Sequence, residues 1–103
     1  MKVYNKLVRD KIPEAIRRSG KRYSFHIATE EEFLMRLKDK LREELQELYE
    51  NPSIEELADV LEVVYAIGRK LDLNIVESYG AMTKKGNAKG KFRDKIILEM
   101  VEE

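Results

Sequence analysis

Residues 30–71 read EEEFLMRLKDKLREELQELYENPSIEELADVLEVVYAIGRKL, and the spacing within them decides the fold class. Leu34, Leu37, Leu41, Leu45 and Leu48 recur at steps of three and four, which makes one apolar stripe along a helix over 30–50. Thr29 followed by Glu32 marks its start as a capping box, in which hydroxyl and carboxylate each satisfy a backbone N–H. Asn51-Pro52 marks its end, because the residue before a proline is pushed out of the helical region. A second helix begins at Pro52 or Ser53 and covers 54–71. It is apolar on more than half its circumference, which predicts a central helix covered on two sides. Glu56 interrupts that apolar surface.

Toward the C-terminus, Ile75, Val76, Tyr79 and Met82 predict a helix over about 74–84, and another runs from about Phe92 to the end. Between them KKGNAKGK (84–91) reads as a mobile basic loop, ordinarily solvated but suited to gripping phosphates. Toward the N-terminus, Tyr23, Phe25 and Ile27 alternate with Arg22, Ser24 and His26, the period of a short strand or extended arm. His26 falls on its outward side and reads as structural or solvated. Ahead of it, VYNKLVRDKIPEAIRRSG mixes turn and helix signals, with Pro13 at a helix start and Gly20 at its end. The expectation is one all-α domain over 1–103: a bundle of about four helices with a short extended N-terminal arm. A chain of 103 residues buries only about two-thirds of its unfolded surface, so a homodimer or homotetramer is expected to supply further core.

Twenty Lys plus Arg balance twenty Asp plus Glu, so the overall field gives no pull toward nucleic acid or an anionic membrane. With no cysteine, disulfides, thiolate nucleophiles and Cys-based metal sites are excluded. MKVYNKLVRDK lacks the apolar core of a signal peptide, and no run reaches the roughly 18 apolar residues of a membrane span. The expected location is cytoplasmic, with neither membrane nor nucleic acid as partner.

The chemistry lies in the acids. Glu44 and Glu47 are three apart on the first long helix, and Glu56 and Asp59 three apart on the next. An antiparallel hairpin turning at 51–53 makes these pairs face one another in two rungs. At about 100° per residue Glu44 lies near the leucine stripe while Glu43 points away, Glu56 falls among Val60 and Val63, and Asp59 borders them. Carboxylates gathered out of water repel, and each costs several kcal/mol in desolvation, so a cation must answer them. An all-oxygen donor set on rigid helices suits Mg²⁺ or Mn²⁺. The competing reading is structural: Glu56 as the N3 partner of Ser53 in a capping box, and Glu43 and Glu44 paired with Lys40. Tyr65 and Tyr79 lie on apolar faces and read as core.

The ExxE and ExxD pairs resemble the all-alpha NTP pyrophosphatases of the MazG-like kind. YNKLVRDKIPE (4–14), EELADVLEVVYAI (55–67) and a basic loop ending in Phe92 resemble the phosphoribosyl-ATP pyrophosphohydrolase-like branch of that superfamily. The resemblance implies an oligomeric helical bundle whose acids bind Mg²⁺, the metal holding a nucleoside triphosphate while water attacks to give NMP and pyrophosphate. On that reading Glu44, Glu47, Glu56 and Asp59 are metal-binding and catalytic. Lys85 and Lys89 contact phosphates, while Lys6, Arg9 and Lys11 either close over the nucleotide or pair with Asp10 and Glu14. Two features depart from the pattern. The Glu47–Glu56 spacer is short, and KGNAKGKF (85–92) stands where relatives tend to have KxxxRGGF, so Lys89 replaces an arginine fork and Lys91 a glycine. Two alternatives are hydrolysis of phosphoribosyl-ATP and a non-catalytic module that binds metal or nucleotide.

Overall fold

The computed structural model describes the whole chain, Met1–Glu103, as four helices without a strand: α1 (Ile12–Arg18), α2 (Glu30–Glu50), α3 (Ile54–Lys70) and α4 (Ile75–Lys89). Two compact units result, Met1–Asp72 and Leu73–Glu103.

In the first unit α2 and α3 form the hairpin that the leucine spacing requires. The Thr29 hydroxyl accepts the Glu32 N–H at 3.2 Å, and the Ser53 hydroxyl accepts the Glu56 N–H at 3.1 Å, so each long helix opens on a capped turn. Such a cap contributes about 1 kcal/mol. Asp72, left-handed at φ 56°, ends α3, as a residue just past a helix commonly does. Lys70 Nζ on the last turn of α3 reaches Glu30 Oε2 on the first turn of α2 at 2.5 Å, as the antiparallel pairing of the two helices requires. The core is small: Leu37, Val60 and Val63 are the buried apolar side chains, and Leu34, Leu41, Leu45 and Leu48 are half-buried beside them.

Two expectations fail here, and a third is narrowed. Of the short strand or extended arm expected at 23–27, the strand does not form; Tyr23 and Phe25 stack their rings at 6.2 Å, but no second strand exists for them to pair with. The helix α3 is covered on one side only, and Leu57, Leu61 and Val64 stay 41–48% exposed along its other apolar stripe. Residues 92–103 are not helical, and Phe92, Ile96, Ile97 and Met100 are exposed. A helix of that length is marginal without a surface to pack on.

In the second unit α4 opens on Asn74, whose Oδ1 accepts the Glu77 N–H at 3.0 Å. It then runs through Lys89, past the expected end at 84, so most of KKGNAKGK is helix rather than mobile loop. Lys84, Lys85, Ala88 and Lys89 are good helix formers and outweigh Gly86. The stop comes at Gly90, whose φ of 86° suits glycine and whose N–H bonds Gly86 O at 2.9 Å. Tyr79, expected in a core, is 48% exposed.

Candidate metal centre

Near the turn of the hairpin, one carboxylate oxygen from each of Glu44, Glu56 and Asp59 lies within 4.8 Å of the other two. Their positions follow from the helices. Glu56 and Asp59 are three apart on α3, hence neighbours on one face, and Glu44 projects from α2 toward that face beside the buried valines. Glu44 is only 6% exposed, and both Glu44 Oε2 and Glu56 Oε2 are buried with no hydrogen-bond partner. An orphaned carboxylate oxygen away from water costs on the order of 1–3 kcal/mol, more when charged. Two of the three members of the trio thus each carry one such oxygen.

The structural alternatives hold in part. Lys40 Nζ does pair with Glu44 Oε1 at 3.2 Å and with Glu43 Oε2 at 3.5 Å. Ser53 does cap α3, yet Glu56 directs an oxygen into the acidic cluster, so capping accounts for its backbone and not for its carboxylate. Glu47, grouped with the other acids by its spacing, is exposed and stands outside the trio. Its charge still reaches Glu44. Burial pushes the Glu44 carboxyl above the usual range, Lys40 opposes that, and the charges of Glu47 and Asp59 add to it.

A second set of cations comes from the irregular segment before α1. Arg9 Nη2 donates to Asp59 Oδ1 at 2.7 Å, and Lys6 Nζ donates to Glu43 Oε1 at 2.8 Å. The Glu43 bond raises the Lys6 ammonium above its ordinary value, and Lys6 with Lys40 holds Glu43 below the usual carboxylate range. Neither Lys6 nor Arg9 pairs with Asp10 or Glu14; Glu14 is taken by Arg17 and Arg18 on its own helix. Lys11 is exposed at the N-cap of α1. Arg36 Nη1 fastens the same segment by donating to Asn5 O at 2.9 Å, and Asn5 takes a left-handed conformation, φ 44°, where the chain turns. Periodicity gives no signal for these contacts, since they join an irregular segment to helices 31 to 50 residues away. Lys85 and Lys89 lie one turn apart on α4, in the other unit.

Two cations therefore touch the trio, Lys40 and Arg9, against three carboxylates. Each unscreened pair of carboxylates at about 5 Å repels by roughly 3 kcal/mol at an effective dielectric near 20, so the residual charge matters. The donor set suits a hard divalent cation: oxygen only, two atoms unpartnered, all on helices. A cleft of about 460 Å³ lies elsewhere, at the end of the hairpin where Glu30 meets Lys70. It holds neither of the unpartnered oxygens. His26, exposed, pairs with Glu32 at 2.9 Å and takes no part.

Fold and site together define an all-helical protein with a three-carboxylate cluster on a helical hairpin. No protein-family model, curated relative or solved structure matches the chain. No helix is long and apolar enough to cross a membrane.

Proposed function

We propose that the hairpin is the site of a Mg²⁺-dependent nucleoside triphosphate pyrophosphohydrolase, NTP and water giving NMP and pyrophosphate. The observation that carries the reading is the pair of buried, unpartnered oxygens on Glu44 and Glu56 within a trio completed by Asp59. Glu44, Glu56 and Asp59 hold Mg²⁺, or Mn²⁺, with Glu47 beside them as an exposed fourth carboxylate. A bound divalent cation supplies charge neutralisation on phosphate oxygens and a more acidic water. The helices hold the acids in fixed relation before substrate arrives, so little reorganisation accompanies the reaction. Lys6, Arg9 and Lys11 belong to the same compact unit as the acids and provide cations for the phosphates. The uncovered stripe of Leu57, Leu61 and Val64 supports a homo-oligomer, since a second copy there adds the core that one chain lacks.

Pyrophosphate release from canonical nucleotides, modified nucleotides and phosphoribosyl-ATP, with Mg²⁺, tests the reading on wild type, Glu56→Gln and Asp59→Asn. Turnover by wild type alone, with both variants folded, sustains it, and the panel names the substrate. Absence of turnover, or variants as active as wild type, refutes it. Nucleotide binding without product then favours the non-catalytic module.

A further inference from the structure

The N-terminal segment is fastened to the hairpin at three points that differ in kind. Asn5 O accepts from Arg36, and Lys6 pairs with Glu43; both partners lie on α2 and neither belongs to the trio. Arg9 instead ends on Asp59, a member of the trio. A cleft of about 80 Å³ separates the segment from α2, lined by Asn5, Lys6, Leu7, Arg36, Lys40 and Glu43 among others.

We propose that Arg9 is an internal counter-ion that a divalent cation displaces from Asp59, so that metal binding unlatches one end of the segment and leaves the other tethered. This rests on the metal-site reading above. The guanidinium and a divalent cation compete for the same carboxylate. The Arg9 and Asp59 side chains are 59% and 36% exposed, so the latch is weak and yields to a doubly charged ion. Asn5 and Lys6 stay fastened on α2, so the freed guanidinium remains beside the acids. From there its planar fork can take a phosphate in two hydrogen bonds with its whole charge, whereas in the latch Nη2 is engaged and Asp59 offsets that charge. The segment thus couples the two ligands: the cation frees the group that the phosphate takes.

Calorimetric titration of the full chain with Mg²⁺ alone, and arginine-selective NMR of the Arg9 guanidinium, test this without any turnover. Arg9→Gln is expected to bind Mg²⁺ two- to fivefold more tightly than wild type, the upper figure being about 1 kcal/mol. Lys21→Gln, which removes an exposed charge that makes no contact with the trio, is expected to match wild type. In wild type the Arg9 signals are expected to move toward those of a solvated arginine with the same Mg²⁺ midpoint as the heat, and in Asp59→Asn to sit there already. If Mg²⁺ binds but Arg9→Gln binds it no more tightly, or Lys21→Gln tightens it equally, or the Arg9 signals do not move, the latch is wrong and the metal site stands. If neither wild type nor Arg9→Gln binds Mg²⁺, the metal site fails and the latch falls with it.

Discussion

Replacing Glu44 by glutamine separates the cost of the acidic cluster from its use. Glu44 is 6% exposed, with one oxygen paired to Lys40 and the other unpartnered. Removing a buried orphan acceptor that carries charge relieves about 1–3 kcal/mol, while losing the partly exposed Lys40 pair costs up to about 1 kcal/mol. The glutamine NH₂ also brings two donors to a place where Glu56 Oε2 lacks one. The net expectation is a metal-free Glu44→Gln protein more stable than wild type by about 1 kcal/mol at neutral pH, or about 4–8 °C in Tm. The pH dependence has the matching sign. Since burial raises the Glu44 pKa in the folded state, the folded chain binds more protons than the unfolded one just above the ordinary glutamate range. Wild-type stability therefore falls as pH rises from that range through the raised pKa, and the variant lacks this loss. With Mg²⁺ at about 100 times its Kd, wild type gains about 2.7 kcal/mol and overtakes the variant. Urea denaturation of both proteins in EDTA and in Mg²⁺, at several pH values, measures every quantity. A metal-free variant less stable than wild type, or one that Mg²⁺ stabilises as much as wild type, would refute the reasoning.

Leu37→Ala removes the one fully buried side chain and is expected to destabilise by about 2–5 kcal/mol, seen as a lower urea midpoint, because a core with two further buried residues has little with which to fill the cavity. Leu61→Lys places a charge within the exposed α3 stripe; it is expected to shift sedimentation to the single-chain mass while leaving the far-ultraviolet helix signal intact, and unchanged mass would remove that stripe from any interface.

The hairpin was legible because its signals are local and agree: a hydroxyl cap at each start, a proline after Asn51, and a leucine repeat between them. Angular position on the helices likewise singled out Glu44, Glu56 and Asp59, since a carboxylate inside an apolar stripe has to converge on something. The three-residue spacing also included Glu47, which that step rotates toward solvent at the edge of the cluster. The end of α4 was misread because glycine is a weak breaker: Gly86 lies inside the helix, and Gly90, with its positive φ, ends it. The Arg9–Asp59 pair was out of reach altogether, because nothing periodic in an irregular segment reports which helix it will cross.

The turn at 51–53 has a consequence for how the protein is made. Glu44, Glu56 and Asp59 all lie within residues 44–59, so the cluster depends on one short loop closure and on no contact distant in sequence. Loop-closure entropy is small at that length, and topologies rich in local contacts reach the native state quickly. The acids are expected to meet as soon as the hairpin closes, so that their repulsion opposes that step. On the proposed metal-site reading, a divalent cation is expected to raise the rate of folding as well as the stability of the finished molecule.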